Sequence, residues 1–406
     1  MLTKNKKLIL LTLIAFNNNK TKTEFKLGIE NIPQTVLSQL QSQRLGLITN
    51  QSGINQQGKQ NIDILREHNL TITYVFAPEH GFKGTVGAEK SIHDSIDPTT
   101  NIPIISLYGN GTGKSIHPQK INDIDTLIFD IQDSGMRHYT YISTLLHTMQ
   151  DAAEFDKNFI VLDRPNPLAA RMEGPLVQKD LTSFISIAPI PLRHGMTIGE
   201  LACYFNKHIL TKPVKLQVIK MHNYNRNNGI CHKFLAPLSP GIRSIQSCYN
   251  YSFLGLLGEI APFHVGLKTD APFQCILLPK KIKFSENKWR ELQILLKTHN
   301  IESKRHTILD KQPKQKASGL RLHINNINSV NSFSVFLSIL DFFKKNGVTL
   351  LYSKAFNLAI GTKDLQTTIA GIISRKEFLA MTQKDLKEFF ERATQLFMYK
   401  PYPTIN

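Results

Sequence analysis

Residues 125–163 read DTLIFDIQDSGMRHYTYISTLLHTMQDAAEFDKNFIVLD. Two apolar, β-branched runs, Asp125 to Ile131 and Phe159 to Asp163, flank a segment of helical period. Ile142, Leu145, Leu146, Met149 and Ala153 recur at the i, i+3, i+4, i+7, i+11 spacing of one buried helix face. The spacing predicts a helix that begins just after the turn Asp133–Tyr139. Strand, helix, strand in that order is the βαβ unit of a parallel sheet. The carboxyl ends of such strands open into one crevice, where ligands bind. The helix would point its positive N-terminal end toward that crevice and favour an anion there.

Working outward, Arg44 to Thr49, Thr71 to Ala77 and Ile102 to Leu107 also read as strands, and the alternation runs from Phe25 to about Asn206. The predicted fold class is α/β: a Rossmann-like, mostly parallel sheet domain at residues 25–209, followed by a smaller α+β domain at 210–406 that closes the cleft. The boundary falls near 207–213. In the second part, residues 214–219 and 320–324 read as strands. Ser332 to Lys345 reads as a helix stopped by Gly347, and a final helix opens at Thr382-Gln383-Lys384-Asp385.

The chain has 406 residues, 41% hydrophobic and 20% charged, which suits a folded globular protein and excludes disorder as its character. A formal charge of +18 favours anionic partners. Lys is scattered and Asn and Ile are abundant, so biased genome composition is an equal explanation. Basic residues are not interleaved with aromatics on one element, which argues against nucleic acid as a partner. Cys203, Cys231, Cys248 and Cys275 form no C-x-x-C pair, and the histidines, including Cys231-His232, lack metal-site spacing. No metal or cofactor is expected. Residues 1–24 hold a basic MLTKNKK and an apolar LILLTLIAF without an A-x-A site, a leader-like segment that points to a periplasmic or secreted protein, with the cytoplasm as the alternative. No other run is long enough to span a membrane, so stable insertion is not expected after leader removal.

Polar motifs cluster at strand ends: Thr49-Asn50, Pro78-Glu79-His80-Gly81, Asp130-Ile131-Gln132-Asp133, and Asp163-Arg164-Pro165-Asn166-Pro167. Proline cannot extend the ladder and glycine permits unusual backbone angles, so the PEHG turn should present Glu79 and His80. Glycosidic cleavage commonly uses one carboxylic acid to protonate the leaving oxygen and a second carboxylate at the oxocarbenium-like centre. Glu79 is the first candidate, and Glu173, in a Gly-Pro turn beyond the fifth strand, is the second. Thr197 with Glu200 reads as a capping box, giving Glu200 a structural role. His194 is either a ligand-facing partner or a satisfied loop histidine. The Gly109–Ser115 stretch imitates a phosphate loop, but three residues separate its outer glycines instead of four and Tyr108 stands where the first should be. It is read as a loop. No G-x-S-x-G elbow is present.

TNQSG, FAPEHG, SLYG, FDIQDSGMRHYTYIST, VLDRPNP, EGP and PIPLRHGMTIGEL, in that order, resemble the exo-β-N-acetylmuramidase family of glycoside hydrolases, and GLRLHI, FNLAIGTKDL and FMYKPYP extend the likeness to about Pro403. The resemblance implies removal of N-acetylmuramic acid from non-reducing ends of peptidoglycan fragments, with muramic-acid glycosides as ligands. The family's suspected catalytic glutamates carry over to Glu79 and Glu173. Asn50, Tyr139, Tyr141 and Asn166 are candidates for sugar hydroxyls or the N-acetyl group, with His80, Asp130, Asp133, Asp163, Arg164 and His194 at the same edge. The lactyl carboxylate calls for an arginine, Arg137 or Arg193. One stretch departs from the family: EGTNxSxGRGT is replaced by residues 258–269, GEIAPFHVGLKT. A non-catalytic cell-wall sugar-binding protein is the rival reading.

Overall fold

The structure, a computed structural model, describes residues 24–87, 90–108, 114–228, 234, 236–309 and 316–405. The leader-like residues 1–23, the phosphate-loop imitation at 109–113 and Cys231-His232 lie outside the described residues.

The first unit is built on β1 (Arg44–Thr49), β2 (Thr71–Ala77), β3 (Ser95–Ile96), β4 (Pro103–Ser106), β5 (Thr126–Asp130) and β6 (Asn158–Leu162). Between β6 and the next long strand lies the short β7 (Arg171–Met172), and β8 (Lys215–Ile219) completes the sheet. The seven strands run in the order β3-β4-β2-β1-β5-β6-β8, all parallel except for β3, which pairs antiparallel with β4. Strand β8, read from sequence as part of the second domain, instead pairs in register with β6, Asn158 opposite Lys215 through Leu162 opposite Ile219. Its alternating burial marks it as an edge, whereas β1, β5 and β6 are buried on both faces, as a parallel sheet under two helix layers requires.

One face is covered by α1 (Gln34–Leu40) and α2 (Asn61–Glu67) through Val36, Leu37, Leu40, Ile62 and Leu65. After the short α3 (Pro118–Asn122), α4 (Tyr141–Glu154) and α5 (Ile198–His208) cover the other through Leu145, Met149, Leu201 and Phe205. The α4 stripe is the one expected from the sequence. The Thr197–Glu200 capping box at the start of α5 is formed in both directions.

The second unit contains α6 (Ile245–Leu257), β9 (Ile260–Ala261), β10 (Cys275–Pro279), α7 (Glu286–Thr298), β11 (Glu302–Leu309), β12 (Lys316–His323) and α8 (Ser332–Lys345). Then come β13 (Leu351–Tyr352), α9 (Lys354–Ile360), α10 (Asp364–Ile369), α11 (Arg375–Ala393) and β14 (Thr404–Ile405). An antiparallel sheet β10-β12-β11 packs with α6, α7 and α8 around Trp289, Phe336 and Phe343. Helix α11 starts seven residues before the expected Thr382, because Ser374 accepts the Glu377 amide and forms the true N-cap.

The chain end returns to the first unit. β14 pairs parallel with β7, and Tyr399 donates its hydroxyl to Asp163 Oδ2 at 2.6 Å while accepting the Met221 amide at 3.0 Å. Asp163 also receives the Gly199 and Arg164 amides and the Thr197 hydroxyl. Burial, opposed by these donors, pushes the Asp163 carboxyl up to about 6. The folded chain therefore holds this proton more tightly than the unfolded chain, where an Asp titrates near ~3.9. The group's contribution to stability is full below the unfolded value and is lost as pH rises through about 6. Asp163→Asn has no such proton, so the stability advantage of wild type over this variant, read from urea midpoints, should shrink as pH rises from about 4 to about 7. An advantage that grows across that window contradicts the account.

Candidate active site

The four strand-end motifs do meet at one edge, but most of their charges are spent on one another. Arg164 binds Asp130 through two nitrogens, at 2.5 and 3.0 Å, and Asn61 adds a bond to Asp130 at 2.8 Å. Asn166 donates to the Met196 carbonyl and accepts the Leu168 amide, and its Oδ1 fills the space beside Gly135 (φ +93°), where a Cβ would lie 2.3 Å away. With Asp163 clamped as described, Asp130, Asp163, Arg164 and Asn166 form the framework under the crevice. They do not face a ligand.

Two expected ligand arginines are also structural. Arg137 gives its guanidinium to the carbonyls of Pro175, Ile190, Ala359 and Ile360 and to Ser186, which ties the turn before α4 to the end of α9. Arg193 binds Glu173 at 2.9 Å and the carbonyls of Leu168 and Val330 through Nε and Nη1, and its Nη2 is buried with no partner among the described residues. Glu173 is 1% exposed, and its other oxygen accepts the Phe333 amide at the start of α8. A carboxylate with each oxygen already engaged joins the two units and has no oxygen left for a sugar. The expected catalytic pairing of Glu79 with Glu173 is corrected on this ground.

What remains open lies around Glu79. The PEHG turn is tight as expected: His80 and Gly81 take left-handed φ values of 72° and 77°. Both named side chains are tucked in. Glu79 is 6% exposed and accepts the Thr140 hydroxyl at 2.7 Å, so the N-cap residue of α4 holds this carboxylate at the crevice. His80 is occupied by the Val86 carbonyl at 2.8 Å and serves the turn. Asn50 accepts from Ser52, and its Nδ2 has no partner among the described residues. Asp133 accepts the Gly135 amide at 2.7 Å and faces His194 Nε2 at 3.1 Å. Tyr139 and Tyr141 both donate to the Leu238 carbonyl, which Gln51 also binds, so the Pro237–Ser239 loop is roped to the rim. Beside it opens a cavity of about 550 Å³ lined by Gln51, Lys83, Thr85, Ser239 and Arg243, among others.

Three groups at this edge escaped the reading of the sequence. Thr140 and His138 stand within the quoted 125–163 stretch, yet side-chain direction in a turn carries no periodic signal. Burial, with Arg137 beside it, pushes His138 down to about 3, so its ring is neutral, and it packs on Tyr251 with centroids 4.8 Å apart. Tyr251 comes from α6 of the second unit. Its phenol is held well above the usual range, by burial first and then by Glu79, Glu259 and Asp133. No group of three or more His, Cys, Asp or Glu able to hold a metal occurs among the described residues.

Comparison with known proteins agrees with this architecture. The family descriptions "Exo-beta-N-acetylmuramidase NamZ, N-terminal" and "C-terminal" match residues 45–246 and 249–399. The chain is 32% identical over 394 residues to the peptidoglycan beta-N-acetylmuramidase NamZ of Bacillus subtilis strain 168, covering 94% of this chain and 93% of that one. Two crystal structures of DUF1343 family proteins from Bacteroides fragilis NCTC 9343 superpose with TM-scores of 0.80 and 0.72 at 30% and 25% identity, each over 93% of this chain and 99% of the other.

Removing one partner of a buried ion pair strands the other charge, at a cost of about 3–5 kcal/mol. Arg193→Met should therefore lower the unfolding free energy by about that amount. A melting midpoint equal to wild type would show that the pair does not join the two units.

Proposed function

The chain belongs to the exo-β-N-acetylmuramidase NamZ family, and from that premise we propose that it is an exo-acting glycoside hydrolase releasing N-acetylmuramic acid from non-reducing ends of peptidoglycan fragments. The observation that carries the reading is Glu79, a nearly buried carboxyl on a left-handed turn at the crevice, held by Thr140 and followed four residues later by Lys83 and Gly84, which line a cavity. In this role Glu79 protonates the glycosidic oxygen as the bond to the anomeric carbon breaks, and water replaces the leaving sugar. Asn50, with its unpartnered Nδ2, is the donor suited to a sugar hydroxyl or the acetamido oxygen.

Arg137 is spent on backbone carbonyls and Arg193 on Glu173 and two carbonyls, with only its buried Nη2 unpartnered among the described residues, and we assign the lactyl carboxylate to the cations that line the cavity, Lys83 and Arg243. Arg243 already donates to the Thr269 carbonyl, which leaves Lys83 the more adaptable of the two. The basic-then-apolar residues 1–24 support action outside the cytoplasmic membrane, where peptidoglycan lies. Among the described residues, no helix is long and apolar enough to cross a membrane.

Glu79→Gln should reduce turnover of a muramic acid–glucosamine disaccharide, followed by mass spectrometry of the free sugar, by about 10²- to 10⁴-fold. Glu173→Gln should lower stability while keeping turnover within about tenfold of wild type. Undiminished turnover in Glu79→Gln overturns the assignment, and wild type that retains the disaccharide without cleaving it favours a sugar-binding protein. Lys83→Ala should raise KM about fivefold, the worth of one exposed ion pair, with kcat unchanged. A KM that ignores both this change and added salt removes Lys83 from recognition.

A further inference from the structure

With Glu173 locked away, the crevice needs another carboxylate opposite the acid. We propose that Asp133 is that second catalytic carboxylate, and that His194 is the positioning residue behind it. The inference rests on the hydrolase reading above.

The acids at the sheet edge separate by what their oxygens do. Asp130 is taken up by Arg164 and Asn61, Asp163 by four donors, Glu173 by Arg193 and Phe333, and Glu200 by Arg226 and the amides of Thr197 and Met398. Asp133 differs. Its Oδ2 receives the Gly135 amide and His194, while its Oδ1 is buried with no hydrogen-bond partner among the described residues. An acceptor left unmet in the interior costs about 1–3 kcal/mol. Such a loss is tolerated where a ligand supplies the missing partner.

The surroundings are built for one orientation. His194 Nδ1 lies 3.3 Å from the Met196 amide and accepts from it, so the ring proton sits on Nε2 and is donated to Asp133 Oδ2. That histidine is fully buried, and the backbone beside Asp133 is pinned by Gly135 against Asn166. Asp133 and Glu79 arrive from the ends of β5 and β2, and both act on the phenol of Tyr251. Geometry places both beside α6: Thr140, which holds Glu79, follows Tyr139, whose ring centroid lies 6.0 Å from that of Tyr251, and the Ser134 carbonyl next to Asp133 lies 3.5 Å from Cys248 Sγ. Glu259 reaches the Tyr251 ring as well, but it stands at the end of α6 and binds Ser353 at 3.0 Å, outside the sheet crevice.

In the reaction Asp133 faces the anomeric carbon as positive charge develops there. The proton of Glu79 goes to the glycosidic oxygen, the aglycone leaves as an alcohol, hydroxide from water bonds to the anomeric carbon, and the remaining water proton returns to a carboxylate of the pair. His194 keeps Oδ1 directed at the substrate by holding Oδ2.

The test measures kcat, KM, melting midpoint and N-acetylmuramic acid binding for Asp133→Asn, Glu259→Gln, His194→Leu and His194→Gln, using the muramic acid–glucosamine disaccharide as substrate. Asp133→Asn should lose about 10²- to 10⁴-fold in kcat while still binding the free sugar. His194→Leu should lower kcat with KM little changed, and His194→Gln, which keeps a donor, should recover part of it. Should Asp133→Asn fail to fold, Asp133→Glu carries the test, since it keeps the charge and moves it by one methylene; the same loss in kcat is expected. Turnover within about tenfold of wild type in a folded Asp133 variant overturns the proposal, as does loss of turnover in Glu259→Gln alone. Inactive wild type overturns both this assignment and the hydrolase reading, whereas active wild type beside an equally active Asp133→Asn overturns this one alone.

Discussion

A charge taken out of water costs several kcal/mol unless a partner meets it, and this chain takes many charges out of water at one sheet edge. Arg137, Arg164, Arg193, Arg226, Asp130, Asp163, Glu173 and Glu200 are all buried there. Each finds its partner across a long stretch of chain: Asp163 reaches Tyr399, Arg137 reaches Ala359, and Glu173 reaches Phe333. The need to satisfy these groups joins the second unit to the first. It also separates scaffold from chemistry, because a side chain with every valence filled has nothing to offer a substrate.

On that criterion the crevice has a rigid floor and a small working rim. The floor holds the Asp130–Arg164 pair and the Asp163 clamp. The rim holds Glu79, Asp133, Asn50 and the tyrosines that tether Leu238. Glu79 and Asp133 sit on turns that contain left-handed residues and the tyrosines flank the start of helix α4, so these positions are set by backbone geometry. Helix α6 of the second unit contributes Tyr251, packed on His138, and the 236–243 segment that precedes α6 lines the neighbouring cavity.

The long parallel strands and the helices α4, α5, α8 and α11 were legible from the sequence because burial imposes periods of two and 3.6 on apolar residues, whereas α1, α2, α6 and α7 were not read. Helix α4 and helix α8 follow that stripe closely. Strand β8 was given to the wrong unit, since an edge strand's partner lies far away in the chain and leaves no local sign. The start of α11 was missed because its cap, Ser374, precedes the strongest apolar repeat. For the site, the strand-end motifs do meet at one edge of the sheet, and Glu79 lies there on its tight turn. The roles of Arg137, Arg193 and Glu173 were not legible, because a motif does not reveal whether a guanidinium meets a ligand or a set of carbonyls. Only the hydrogen-bond partners distinguish the two.

The central claim is that one sugar ring sits between Glu79 and Asp133 against Tyr251. A crystal structure of the Glu79→Gln variant with the muramic acid–glucosamine disaccharide tests it most directly. The account predicts the glycosidic oxygen within hydrogen-bond reach of residue 79, about 3 Å, and the anomeric centre facing Asp133. A disaccharide bound in the cavity between α8 and α11, lined by Asn331, Phe333 and Leu379, with the crevice unvisited, would contradict it.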